Sequence, residues 1–295
     1  AYEIIKSAWY EKEFSQDFLK TFRTTFKAFL TAEDDNKRAK ILLYKEERQG
    51  AKDLLPFLTP SQRKIVQSKL DLLDCQDQSP SNIDLIYDKI KCQRRLKNYS
   101  QAIKLLTNNH PDEEDFPEAW WTERNLIARY LIENKDYQQA ASVIQGHRLK
   151  MGESYVHAEW MLGWLRLRFL GKPHDAYEQF KKIYSLVKSP QSQSRFSFWA
   201  GEAAKQLGYL QESQAWYQKA AQHKGTYYGQ LAISRLKSVY KKPISTFHFV
   251  KAPSANHAFS KQFEKRSLVR ILKSLGKSDK DKYLFFFLFK LADLI

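Results

Sequence analysis

The chain has 295 residues, of which 43% are hydrophobic and 14% aromatic, and its formal net charge is +16 at pH 7. This composition is typical of a folded protein with a substantial core, and no apolar run is long enough to cross a membrane. The basic surplus favours acidic partners, either nucleic acid or an anionic polymer of the cell envelope, unless it is only a solvated surface. No alternating strand pattern is present, so we predict an almost purely α-helical protein.

The first 30 residues carry a row of phenylalanines at steps of four, four, four and three residues. This spacing predicts one face of a single long helix with an aromatic core. Shorter helices are predicted over 36–49 and 60–73, and Pro60 suits the first turn of the second of these. The acidic pair Asp34 and Asp35 is predicted to lie in a loop. The phenylalanines of the row are Phe14, Phe18, Phe22, Phe26 and Phe29.

Helical hairpins follow one another from about residue 80 to residue 236. A small residue recurs early in the second helix of four successive hairpins, at intervals of 38, 36 and 37 residues. Small residues let two helices approach closely, and a recurrence of this length is typical of an α-solenoid. The sequence therefore predicts an α-superhelix, a solenoid of helical hairpins similar to tetratricopeptide repeats, that forms an arc or ring. The small residues are Ala102, Ala140, Ala176 and Ser213.

The helical periodicity fails after this region. We predict an α-superhelical domain over 1–236, a linker over 237–258, and the start of a helical linker domain over 259–295, with a following domain that is absent from this chain. Residues 241–282 hold 11 Lys/Arg against 3 Asp/Glu, and this surplus is half of the net charge. This segment is therefore the part of the chain most suited to an anionic partner.

The chain has two cysteines, Cys75 and Cys92, and they do not form a CxxC motif. We predict two unpaired thiols on helices rather than a disulfide or a metal site. No cofactor and no metal are predicted.

Several strings occur in an order and at spacings that a generic helical repeat does not share. They are His110-Pro111, Pro117-Glu118-Ala119-Trp120-Trp121, Glu123-Arg124, Gly152-Glu153, Ala158-Glu159-Trp160, Gly163-Trp164, Leu167-Arg168-Phe169-Leu170, Ser189-Pro190, Ser192, Arg195, Trp199-Ala200-Gly201, Trp216-Tyr217 and Thr226-Tyr227-Tyr228-Gly229-Gln230-Leu231-Ala232. Together they resemble the superhelical region of the soluble lytic murein transglycosylases. The resemblance covers residues 80–236 well and the remainder loosely.

The resemblance implies a periplasmic bacterial protein, with its signal peptide removed, that acts on the peptidoglycan of the cell wall. The family's lysozyme-like catalytic domain follows the helical ring, and a glutamate in a Glu-Ser pair acts there as acid and then base, with a Gly-Leu-Met-Gln-type string downstream. Here the Glu-Ser pairs are Glu153-Ser154 and Glu212-Ser213, and neither precedes such a string. We therefore predict no catalytic residue and no activity for this chain alone. Glu153 is expected to be an acid in the first turn of a helix, without the water-poor cleft that glycosidic cleavage needs.

Candidate substrate-binding residues come from the same strings and from the basic segment. The tryptophans could stack on sugar rings or belong to the core. The arginines of the helical hairpins could bind peptide carboxylates or form salt bridges with Glu123, Glu159 and Glu202. The basic residues of the C-terminal segment could bind murein or remain solvated. The candidates are Trp120, Trp121, Arg124, Arg168, Arg195, Lys265, Arg266 and Arg270.

The resemblance implies the non-catalytic part of a peptidoglycan lytic transglycosylase. It would hold murein glycan and position the domain that cleaves the MurNAc-GlcNAc bond to 1,6-anhydro ends, which is a lyase reaction. Peptidoglycan is the expected partner, with cell-wall proteins as a further class. The alternative is a helical-repeat scaffold without catalytic function that binds a protein partner on its concave face. Nucleic acid is not expected, because the repeats lack a pattern of base-reading side chains.

Overall fold

The structure is a computed structural model that describes residues 2–76, 82–107, 112–241, 263 and 265–275. These residues form α-helices and short 3-10 helices, and they include no strand, which confirms the predicted all-α class. The chain divides into two compact units, Ala1–Ile244 and Ser245–Ile295. The candidate site lies in the first unit.

The N-terminal part of the first unit differs from its prediction. The expected long helix is two helices, because Ser15 caps the second one by accepting a hydrogen bond from the Phe18 backbone N–H. The buried Arg38 side chain donates to the Trp9 and Lys12 carbonyls at the end of the first helix. The bounds are α1 Tyr2–Glu11, α2 Gln16–Thr25, α3 Ala32–Tyr44, α4 Arg48–Asp53, a 3-10 turn Leu55–Phe57 and α5 Pro60–Leu72.

The acidic pair of the third helix was also predicted wrongly, because it lies in the first turn of α3 and not in a loop. Thr31 and Asp34 form a reciprocal capping box, in which each side chain accepts a hydrogen bond from the other residue's backbone N–H. Asp35 is buried and accepts two hydrogen bonds from Arg23, at 2.8 and 2.9 Å. Burial raises the pKa of Asp35 to about 6. The α5 helix begins at Pro60, as predicted.

Four helix pairs dominate the rest of the first unit, and each helix packs chiefly on its neighbours in the chain. Weaker contacts join helices two places apart, such as α11 and α13. The bounds are a 3-10 turn Ile83–Leu85, then α6 Ile86–Arg95, α7 Tyr99–Leu106, α8 Asp112–Asp115, α9 Pro117–Glu133, α10 Tyr137–Gln145, α11 Gly152–Arg168, α12 Pro173–Leu186, α13 Pro190–Gln206, α14 Leu210–Ala221 and α15 Tyr227–Tyr240.

The same turn joins the two helices of all four pairs. Its first residue has a positive φ, between 60° and 80°, and its second has ψ between 61° and 69°. In three of the turns, the second residue's N–H bonds to the carbonyl five residues back at 2.8–2.9 Å, which is a Schellman-type ending. Glycine suits the first position because it has no Cβ, but two of the four residues are lysines. The positive-φ residues are Lys97, Lys135, Gly171 and Gly208.

The predicted small residues are buried at equivalent positions in the four pairs. Ala102, Ala140, Ala176 and Ser213 each occupy the fourth position of the second helix and are fully buried. In the last two pairs, an aromatic ring of the second helix packs against a glycine of the first helix. A Cβ on Gly163 would lie 2.6 Å from the Phe180 ring, and the Tyr217 ring leaves no room for a Cβ on Gly201.

The second unit contains α16, Ser267–Leu275. Most of the predicted helical linker domain over 259–295 and most of the predicted linker lie outside the described residues. At the linker's predicted start, residues 237–240 belong to α15.

The two cysteines form a disulfide, so the prediction of unpaired thiols was wrong. Cys75 follows α5, Cys92 lies in α6, and their Cα atoms are 5.3 Å apart, a distance that suits a disulfide. Leu72 and Leu85 are buried beside the bond. The 17-residue spacing alone could not reveal the pairing, because it depends on how α5 packs on α6.

We predict that replacing both cysteines by serine lowers the free energy of unfolding by about 3 kcal/mol, because the bond restricts the loop between them in the unfolded chain. Urea denaturation with and without a thiol reductant measures this effect. The reductant should destabilise the native chain and leave the double variant unchanged. Equal stability of the oxidised and reduced native chain would contradict the prediction.

Candidate ligand-binding groove

A groove of about 630 Å³ lies between the start of α11 and the connection from α12 to α13. One wall is the first turns of α11, and the other is the end of α12 with the first turns of α13. Ser189 caps α13 by accepting a hydrogen bond from the Ser192 N–H, and Pro190 occupies the first helical position. The lining residues are Gly152, Glu153, Val156 and His157 on the first wall, and Leu186, Val187, Lys188, Ser189, Ser192 and Arg195 on the second.

The groove carries two cationic side chains, Lys188 and Arg195, and one carboxylate, Glu153. Neither Lys188 nor Arg195 forms a salt bridge within the described part of the chain. The Arg195 guanidinium lies 5.5 Å from the centroid of the Trp160 ring, in cation–π contact. Burial, and then the nearby charges of Arg129 and Arg195, lowers the pKa of His157, so its ring is neutral at pH 7.

An aromatic stripe runs along α11 from this groove. The rings of His157 and Trp160 are inclined by 11°, and those of Trp160 and Trp164 by 16°, so three successive rings are nearly parallel. Both tryptophans are only half-buried. Phe169 continues the stripe, meeting Trp164 edge to face and stacking on Tyr137 at 3.9 Å between centroids. The stripe combines flat apolar faces with a nearby guanidinium.

Three of the predicted binding residues lie in the core instead. Trp120 and Trp121 are 1% and 4% exposed, so their faces are covered by protein and cannot receive a sugar ring. The buried Arg124 donates to both carboxylate oxygens of Glu113, at 2.6 and 2.9 Å, and to the Val143 carbonyl. These three residues build the α8–α10 region.

The suggested arginine–glutamate pairs do not form either. Glu123 accepts from Arg94 and Glu202 from Arg235, while the Glu159 carboxylate lies 3.1 Å from His147 Nε2. Arg168 is exposed in the last turn of α11, beside a smaller hollow of about 370 Å³ that Glu202 and Lys205 also line. Of the predicted arginines of the first unit, which are Arg124, Arg168 and Arg195, only Arg195 lines the groove.

Lys265, Arg266 and Arg270 are exposed in the second unit. Arg266 lies 5.9 Å from the centroid of the Phe263 ring. Their exposure leaves all three charges accessible to an anionic partner.

Glu153 lies on the groove wall, although no cleft was predicted beside it. Its side chain is exposed in the first turn of α11, as predicted. An exposed carboxyl group does not have the water-poor surroundings that a glycosidic acid needs. Sequence reasoning also missed His157 and Lys188. His157 could have been found from its position three residues before Trp160 on one helix face, and Lys188 from the helix break at Ser189-Pro190.

Within the described residues, no group of three or more His, Cys, Asp and Glu side chains could hold a metal ion, and no helix is long and apolar enough to cross a membrane. No family model, curated protein or solved structure matches the chain.

We predict that Arg124→Ala lowers the free energy of unfolding by about 3–5 kcal/mol, because it leaves the Glu113 carboxylate buried without its partner. Chemical denaturation measures the loss. Arg168→Ala is the matched control, and the change there should stay within about 0.5 kcal/mol because that side chain is exposed. A stable Arg124→Ala variant would show that the buried pair does not hold this region together.

Proposed function

We propose that the chain is the superhelical, non-catalytic part of a peptidoglycan lytic transglycosylase, which holds murein and positions a separate lysozyme-like catalytic domain. The observation that carries the proposal is the partly buried aromatic stripe of α11 beside a groove with two unpaired cationic side chains. Murein combines sugar rings, whose apolar faces suit flat aromatic surfaces, with peptide stems that carry carboxylates. The stripe and the groove offer a complementary surface for both.

The repeated turn supports a superhelical arrangement of the helix pairs. Units joined by the same turn, with a buried small residue at the same helix position, are expected to bury similar faces against their neighbours. Stacking of such units with a constant small rotation produces a solenoid, whose concave surface is the usual binding face. The resemblance to the transglycosylase family rests on strings from this same region.

The disulfide supports a location in an oxidising compartment. Structural disulfides persist in secreted and periplasmic proteins, and thiol reductants of the cytosol usually keep such pairs reduced. The Cys75–Cys92 bond therefore agrees with a periplasmic protein whose signal peptide has been removed.

The two Glu-Ser pairs support a non-catalytic role. Glu153 is exposed, and Glu212 accepts a hydrogen bond from the Tyr177 hydroxyl. The buried Ser213 hydroxyl donates to the Gly201 carbonyl at 2.8 Å, across a helix crossing. Both residues of the second pair therefore have structural partners, and cleavage of the glycan is assigned to the separate domain.

We predict that the chain sediments with insoluble murein sacculi and that the bound fraction falls steeply as salt rises. Exposed charges are screened beyond about 8 Å at physiological ionic strength, so a contact made by Lys265, Arg266 and Arg270 weakens in salt. Replacing these three residues by alanine should reduce binding at low salt. Pelleting assays at low and high salt measure both effects.

The control is a triple alanine variant at Lys20, Lys45 and Lys64, three exposed lysines of the first unit, which lowers the net charge equally. It should bind like the native chain. No sedimentation at any salt concentration would contradict the proposed function and favour the alternative, a scaffold for a protein partner. Equal competition by duplex DNA would reduce the contact to general attraction between polyions.

A further inference from the structure

We propose that the groove between α11 and the α12–α13 connection binds the carboxylate end of a short peptide that also carries an ammonium group. The inference deepens the proposed function, because peptide stems distinguish murein from other glycans. It rests on the proposed function only in naming murein as the source of the peptide. Lys188 and Arg195 would bind the carboxylate, and Glu153 would bind the ammonium.

The state of Arg195 is the first argument. In this part of the chain, arginine side chains are mostly bound to protein groups, as Arg94 is to Glu123 and Arg235 to Glu202. Arg195 has no such partner among the described residues, and Trp160 holds its guanidinium against one ring face. A guanidinium oriented in this way keeps its planar set of N–H donors for a ligand, and this geometry matches a carboxylate.

The second argument is the convergence of further positive charge on the same groove. Lys188 lies on the connection that forms the second wall and is exposed. The first wall opens at the N-terminus of α11, where Met151 provides no side-chain cap, so the first N–H groups of this 17-residue helix are left for solvent or a ligand. The partial positive charge of a helix N-terminus favours an anion in the same place.

The third argument concerns the kind of anion. Glu153 lines the groove and has no salt-bridge partner among the described residues. A carboxylate at this position repels a ligand with several negative charges, such as a polyphosphate, and attracts one that carries an ammonium beside its carboxylate. The volume of about 630 Å³ lies in the range of pockets that hold small organic ligands, and it is large enough for a few peptide residues.

The test uses the tripeptide alanyl-glutamyl-lysine, with its carboxylates and ammonium groups free, in calorimetric titration of the 295-residue chain. We expect the double variant Lys188→Gln/Arg195→Gln to bind at least about tenfold more weakly, because it loses two charge-assisted contacts. The double variant Lys182→Gln/Lys237→Gln removes the same charge from exposed positions outside the groove, and it should bind like the native chain. Thermal unfolding of both double variants establishes that they remain folded.

Two further probes examine the chemistry. The tripeptide with both carboxyl groups amidated should bind at least about tenfold more weakly than the free form. Arg195→Lys keeps the charge but not the planar set of donors, so it should recover only part of the affinity. Titration with inorganic phosphate tests whether the groove binds anions in general. We expect phosphate to bind the native chain more weakly than the tripeptide does.

The proposal is overturned if the native chain does not bind the tripeptide, if the amidated form binds equally, or if the two double variants lose affinity to the same extent. Phosphate binding stronger than tripeptide binding, and dependent on Lys188 and Arg195, would also overturn it. Tripeptide binding without sedimentation on sacculi would retain the groove and reject murein as its source. Normal sedimentation of the native chain without tripeptide binding would reject the groove and retain the proposed function.

Discussion

The close approach of paired helices at one small residue is the constraint on which the rest of the first unit depends. A left-handed residue turns the chain, and five positions later the second helix carries a fully buried small residue, which is Ala102, Ala140, Ala176 or Ser213. A larger side chain at this point would separate the helices and open the core between them. The turn and the crossing therefore act together, because the turn brings the small residue to the point of contact.

The groove follows from this packing. The α12 helix packs closely on both α11 and α13, and the weaker contact between α11 and α13 leaves space at one end of the three helices. The start of α11 and the start of α13 line that space. Arg195 lies one turn into α13, where the half-buried Trp160 of α11 receives its guanidinium. The spacing of the helices therefore determines that Arg195 lies in the groove.

Sequence patterns predicted most features that depend on local spacing. The all-α class and the start of α5 at Pro60 are confirmed, and the four predicted small residues are buried at equivalent helix positions. The left-handed turns at Lys97 and Lys135 could not be recognised from the sequence, because lysine is not a residue that favours a positive φ. Features that depend on contacts between distant residues, such as the Cys75–Cys92 disulfide, were missed. The spacing of residues along the chain does not show which helices pack together.

Residues of the resemblance strings mostly build the scaffold. Thr226 caps α15, Gly229 lies where a Cβ would meet the His223 carbonyl oxygen at 2.1 Å, and Gly163 leaves room for the Phe180 ring. Such residues specify a framework, and the side chains that face a ligand must be found from the groove itself. The most direct test is to incubate the chain with purified sacculi, centrifuge the mixture, and analyse both fractions by mass spectrometry. The account predicts that the chain sediments with the murein and that no soluble muropeptides are released. Muropeptides released by the native chain, and not by Glu153→Gln, would contradict it.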